Sequence, residues 1–134
     1  PYWGTTTLAP IISWARAGEG GYYEDQGSDV PHIPVPCKDA NCYVLSTEGN
    51  SMEPVFSEGD LLVVAPNSEA QPGDHVMVKT MEDEVLFKIY RPREKHIVLC
   101  SYNHRYEPRW FNRSEIRKIH PVQSVIRPLK GKIF

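Results

Sequence analysis

No run of this 134-residue chain stays apolar for the ~18 residues that a helix needs to cross a bilayer. Nor does a charged stretch lead into a short apolar core as in a secretory signal. Charge of one sign is missing too: 15 basic and 17 acidic side chains leave a formal net charge of -2, so no global field draws the chain onto nucleic acid or an anionic membrane. Cysteine is scarce. Cys37, Cys42 and Cys100 are three in number, so at least one stays unpaired, which favours a reducing compartment over a disulfide-stapled secreted domain. These absences lead us to expect a soluble, cytoplasmic protein with no membrane partner. The Cys37/Cys42 pair, with His32 near it and His75, His96, His104 and His120 scattered, has neither CxxC nor HExxH spacing, so no metal and no other cofactor is expected.

Helical periodicity is also absent, and no segment of ten residues repeats its apolar positions every three to four. Residues 1–41 are rich in Gly, Pro, Ser and Thr and read as an extended, partly mobile arm. From Cys42 onward the texture changes to short β-branched runs, CYVLSTEG, DLLVVAP, HVMVKT, EVLFKIYRP, KHIVLCSY and IHPVQSVIRPL, each bounded by turn residues. Six such runs predict an all-β domain over 42–134, built mainly of short antiparallel strands with at most one or two short helical turns. One hairpin is expected across Arg93-Glu94. Gly59-Asp60 and Gly73-Asp74 each precede an apolar run, so the glycines are expected at positive φ and both aspartates read as ordinary strand-entry turn residues.

Two polar residues stand out against this frame. In Gly49-Asn-Ser-Met-Glu-Pro54, Ser51 begins a stretch to Ser57 that suits one helical turn, whose first backbone N–H groups would face a ligand or a developing oxyanion. A serine hydroxyl needs a base to become a nucleophile, and no histidine stands in a triad pattern. A lysine stripped of charge by burial is the alternative, and Lys88, inside Val85-Leu-Phe-Lys-Ile-Tyr90, is flanked by large apolar residues. Holding it neutral near pH 7 would cost the fold about 4.6 kcal/mol. Taken singly, Ser51 reads equally as an N-cap and Lys88 as a strand-surface lysine with its stem along apolar neighbours.

Together they form a pattern. Gly49-Asn50-Ser51-Met52-Glu53-Pro54, Gly59-Asp60-Leu61-Leu62-Val63-Val64, Gly73-Asp74-His75-Val76-Met77-Val78 and Phe87-Lys88 resemble, in order and spacing, the self-cleaving repressor family that includes LexA, the phage CI repressors and the UmuD polymerase subunits. The chain departs from that pattern in two places: Asn50 stands where aspartate is common, and Ile89-Tyr90 follows the lysine where a basic residue is usual. The likeness implies a LexA C-terminal-domain-like fold of the S24 peptidase type, with Ser51 as nucleophile, Lys88 as general base, and the backbone N–H groups of Asn50 and Ser51 as oxyanion donors. It also implies a substrate within the same chain. Ala17-Gly18, 33 residues before Ser51, is the small-residue bond such a protein would cut, with Ile12 and Trp14 anchoring the loop around it. The stretch Ile12-Ser-Trp-Ala-Arg-Ala-Gly-Glu19 is nearer to the phage type.

The resemblance further implies a homodimer, stimulation by the RecA–single-stranded-DNA filament in the DNA-damage response, and operator DNA held only through a helix-turn-helix domain upstream of Pro1. Two other readings share these residues: a UmuD-like polymerase accessory subunit, and a dimerisation domain that does not cleave. A signal-peptidase reading shares the Ser-Lys chemistry but needs a membrane anchor.

Overall fold

The computed structural model describes residues 6–19 and 30–129. Among them are nine strands and two single 3₁₀ turns, at Trp14–Arg16 and Arg113–Glu115. The strands are β1 (Thr6–Pro10), β2 (His32–Pro36), β3 (Tyr43–Ser46), β4 (Leu61–Val64), β5 (His75–Thr80), β6 (Val85–Pro92), β7 (His96–Cys100), β8 (Arg109–Asn112) and β9 (Ile116–Ile126). The fold is all-β, in two antiparallel sheets. All six runs read from the sequence are strands, and β6 and β7 form the expected hairpin across Arg93-Glu94, with Pro92 opposite Ile97.

β1 and β2 make a two-stranded sheet, and the other seven strands make one sheet in the order β3-β4-β9-β5-β6-β7-β8. β9 holds the large sheet together. Its first half pairs with β5, Met77 opposite His120, and its second half with β4, Leu61 opposite Ile126. The change of partner falls at Pro121-Val122, where proline has no N–H to give to a ladder and its carbonyl accepts from Ala65 N–H at 3.0 Å instead.

The alternation of side chains assigns each strand to its layers. Tyr43, Leu45, Leu62 and Val64 face a central core with Ile12, Ala17, Met52, Phe56, Met77, Phe87 and Ile89. Val44, Leu61 and Val63 face the other way, onto Ala9, Val35, Cys37 and Cys42. β4 is therefore buried on both sides, which is why it reads as a continuous apolar run rather than an alternating one. A third cluster, Val76, Val78, Ile97, Leu99 and Phe111, fills the back of β5 and β7.

The first 41 residues correct one expectation. Far from lacking strand structure, they contain β1 and β2, registered Thr6 to Pro36 through Pro10 to His32, and this small sheet covers the second core. Proline-rich strands give a poor period-2 signal, yet they are tolerated where a strand forms a two-stranded edge pair. Asp60 is a second correction. Asp74 does close a simple turn, its carboxylate accepting from Gln71 N–H at 2.8 Å. Asp60, however, is 2% exposed and ties its own turn to the segment after β9: it accepts from Ser57 N–H at 2.9 Å and from Arg127 Nε and Nη2 at 2.9 and 2.6 Å. The two hydrogen bonds from Arg127 hold its carboxyl below the usual range despite its burial. Gly59 and Gly73, at φ +95° and +90°, have the left-handed backbone expected of them.

His120 gives the fold a pH signature. Its ring is 9% exposed and its Nδ1 is hydrogen-bonded to the Tyr43 hydroxyl at 2.9 Å. Burial, then neighbouring Lys118, push its pKa down from 6.5 to about 4, against a weaker pull upward from Asp39. The folded state thus keeps the imidazole neutral while the unfolded chain protonates it. The stability this provides is complete above the unfolded pKa near 6.5 and is lost as pH falls through about 4, a loss of roughly 3 kcal/mol. Urea unfolding at pH 7 and pH 4 should show this loss in the wild type and a clearly smaller one in His120→Gln. Equal losses would place the acid sensitivity elsewhere.

Candidate active site

β7 pairs with β6 only from Ile89 onward, so Val85 to Lys88 form an open half-strand at the edge of the large sheet. A cleft of about 190 Å³ lies at this edge and is lined by Val85, Phe87 and Lys88 from β6, Ser51 and Met52 from the loop after β3, and Trp14 from the amino-terminal segment. Ser51 and Lys88, 37 residues apart in sequence, therefore share one cavity.

The loop carrying Ser51 is a string of turns rather than an assigned helix. Glu53 N–H donates to the Asn50 carbonyl at 3.2 Å and Phe56 N–H to the Met52 carbonyl at 2.9 Å, giving the single turn expected of the sequence. Met52 and Phe56 drop into the central core and fix the loop from below, with Phe56 edge-on to Phe87 and to His75 at centroid distances of 5.0 Å.

Lys88 is 7% exposed, so its side chain is not the solvated strand-surface lysine of the alternative reading. Its ammonium donates to Ser101 Oγ at 2.7 Å and lies 5.3 Å from the centre of the Tyr106 ring. Burial lowers its pKa, the Arg109 guanidinium lowers it further, and Glu84 opposes both. Glu84 is itself engaged by Arg109 through two hydrogen bonds at 2.9 and 3.1 Å, which limits how far its charge serves Lys88.

The sequence reading missed the segment that clasps this site from the far side. Asn103 N–H donates to the Ser51 carbonyl and Asn103 Nδ2 to the Asn50 carbonyl, each at 3.0 Å, and the Tyr106 hydroxyl donates to Asn50 Oδ1 at 2.6 Å. Together with Ser101 on Lys88, one turn after β7 thus holds both halves of the pair. The available signal was a polar stretch, SYNHRY, directly after an apolar strand. The residues at the two departures from the family pattern both have partners: Asn50 Oδ1 accepts from Tyr106, and Ile89 belongs to the central core.

The amino-terminal segment reaches the same place. Ile12, 5% exposed, donates its N–H to the Val44 carbonyl at 2.8 Å, and Trp14 Nε1 donates to the Ser46 carbonyl at 2.6 Å. Ala17 has no exposed surface and sits in the cluster that contains Met52 and Phe87, the chain neighbours of Ser51 and Lys88. Gly18, at φ +83°, lies against Met77 and the stems of Lys79 and Lys118.

A family profile described as Peptidase S24-like matches residues 10–122, a span that contains Ala17, Ser51, Lys88 and the clasp. The chain belongs to the Peptidase S24-like family. Among curated proteins it is 39% identical over 89 residues to the prophage repressor CohE of Escherichia coli K12, covering 61% of this chain and 39% of that protein. It is 30% identical over 107 residues to the LexA repressor of Leptospira interrogans, covering 76% and 51%, and 28% identical over 128 residues to the LexA repressor of Pseudarthrobacter chlorophenolicus, covering 92% and 49%. The chain thus spans about half, or less, of the length of these relatives. No helix among the described residues of this S24-like chain is long and apolar enough to cross a membrane.

A buried lysine penalises folding at neutral pH, and the penalty is relieved as pH rises through its lowered folded-state pKa. In a Ser51→Ala background, Lys88→Met should therefore raise the thermal midpoint at pH 7 by about 2–5 °C. A fall would mean that the ammonium's bond to Ser101 outweighs its desolvation.

Proposed function

We propose that this chain is the regulatory part of a repressor that cuts its own Ala17-Gly18 bond, and that cutting ends repression. The observation that carries the reading is the burial of Ala17 in the same apolar cluster as Met52 and Phe87, beside a cleft lined by Ser51 and Lys88. Attacking group and target share one chain, which substitutes for a diffusional encounter.

In this reading Lys88 Nζ, in its neutral form, takes the proton of Ser51 Oγ as that oxygen attacks the Ala17 carbonyl carbon. The backbone N–H groups of Asn50 and Ser51 receive the negative charge that develops on the carbonyl oxygen. The lysine then gives its proton to the Gly18 nitrogen and the C–N bond breaks: Gly18 becomes the free amino terminus of the part that carries Ser51 and Lys88, while residues up to Ala17 stay on the serine as an ester. Water, deprotonated by the same lysine, releases Ala17 from the serine as a carboxylate and restores the hydroxyl. Ser101 Oγ, 2.7 Å from the Lys88 nitrogen, holds the side chain where neither form can swing into solvent.

The similarity to a prophage repressor and to LexA repressors supports the wider setting. The whole protein would bind operator DNA through a reader domain upstream, dimerise through the present chain, and answer the RecA–single-stranded-DNA filament. Cleavage would separate reader from dimeriser and remove the avidity of a two-site grip.

Intact mass after incubation is the direct test. The wild type should lose its first 17 residues, increasingly fast as pH rises across a midpoint below the ordinary lysine range, while Ser51→Ala and Lys88→Ala stay whole. A wild type that remains whole at pH 7 and pH 10, and with an activated RecA filament, would overturn the reading.

A further inference from the structure

Lys79 is the most deeply buried cation outside the Ser51–Lys88 pair, at 3% exposure, and it stands on β5 two residues from Met77, on the same face. A buried ammonium is tolerated when acceptors surround it. Among the described residues its acceptors come from one segment: the Ala15 carbonyl at 3.4 Å and Glu19 Oε2 at 3.3 Å. The two contacts straddle Ala17-Gly18.

A second observation points the same way. Lys79 on β5 stands directly opposite Lys118 on β9, a like-charge cross-strand pair that is unfavourable unless an anion lies near it. The stems of both lysines flank Gly18, where an added Cβ would lie 3.6 Å from Lys79 Cδ, 3.7 Å from Lys118 Cγ and 3.3 Å from Met77 Cε. The loop thus meets a narrow apolar slot in which a side chain at position 18 would press on Met77 and strain a backbone at φ +83°, followed by a positive site that holds a carboxylate.

We propose that Lys79 is a substrate-reading residue, a clamp that grips the cleavage segment on both sides of the scissile bond and selects an acidic residue at the second position after it. The proposal rests on the self-cleavage reading for its catalytic consequence and extends it to the substrate class: an extended segment of the form small residue, glycine, acidic residue, whether it comes from this chain or from a second copy. When the segment leaves, Lys79 loses both of these acceptors, so the clamp also biases the loop toward its docked position.

Glu19 is half exposed, at 50% of its side chain, so its substitution leaves the core intact. Self-cleavage at pH 10 should slow about tenfold in Glu19→Gln and more in Glu19→Lys, the loss expected for one charge-assisted contact. Lys79→Met should match Glu19→Gln, Lys79→Arg should keep most of the wild-type rate, and the reversed pair Lys79→Glu/Glu19→Lys should recover at least part of what either single reversal loses. A purely structural lysine would give no such recovery. In a Ser51→Ala background, amide exchange of residues 12–19 should quicken in Glu19→Gln, a readout that needs no cleavage.

Wild-type rates in both Glu19 variants, with Ser51→Ala uncut, would overturn the clamp and leave self-cleavage standing. An uncut wild type with faster exchange in Glu19→Gln would support the clamp and overturn the cleavage reading. Unchanged exchange would overturn the clamp either way.

Discussion

The arrangement depends on placing a buried lysine ammonium beside a cleft at the open end of a strand. Lys88 could not be there if β7 continued its pairing down to Val85, because a partner strand would occupy the cleft. It could not be there without acceptors or nearby π-density either, since an isolated buried charge is too unfavourable to retain. Ser101 and Tyr106 meet that need, and both come from the turn that also grips Asn50 and Ser51. One constraint thus couples three loops: moving the turn after β7 would release the lysine and the serine together.

The amino-terminal segment enters this geometry through packing rather than through catalysis. β1 and β2 cover the back of β3 and β4, and residues 11–19 after β1 run past the end of β3, held by Ile12 on Val44 and by Trp14 on Ser46. Residues that cover a core are not free to wander, so Ala17-Gly18, attached to them, stays close to the cleft. The apolar contacts set where the segment lies, and the Lys79 contacts lie on either side of Gly18. That division between non-directional burial and directional charge is what allows a loop to be both retained and selective.

How much of this was legible beforehand follows from which signals are local. The six strands after Cys42 could be read because their apolar runs are bounded by turn residues, and the glycines before Asp60 and Asp74 because a tight turn has few other solutions. β1, β2 and β8 escaped because proline interrupts the first two and β8 is four residues long with one buried side chain. Ser51 and Lys88 were found from a motif of four ordered elements, and their meeting in one cleft needed the fold. Asp60 was taken for a turn residue because its partner, Arg127, lies 67 positions away; the roles of Ser101, Asn103 and Tyr106 were hidden for the same reason. Long-range polar contacts leave no periodicity, and a single sequence carries no other trace of them.

In the proposed self-cleavage, where attacker and target share one chain, two barriers would act on different residues. Docking of the loop would be a matter of the apolar cluster and of Lys79; readiness of the base would be a matter of Lys88 and its proton. A partner that only pressed the loop into place would leave the protonation of Lys88 unchanged, and one that only dried the cleft would lower the lysine's pKa without moving the loop. Ala17 is fully buried in the central core, beside the residues that line the cleft rather than among them. The lever on the base is electrostatic: deeper burial of Lys88, or a weaker hold of Glu84 on it, would enrich the neutral amine. Glu84 is exposed and tied to Arg109, whose charge pushes the lysine the other way, so a contact made at that surface pair would reach the buried base without entering the cleft.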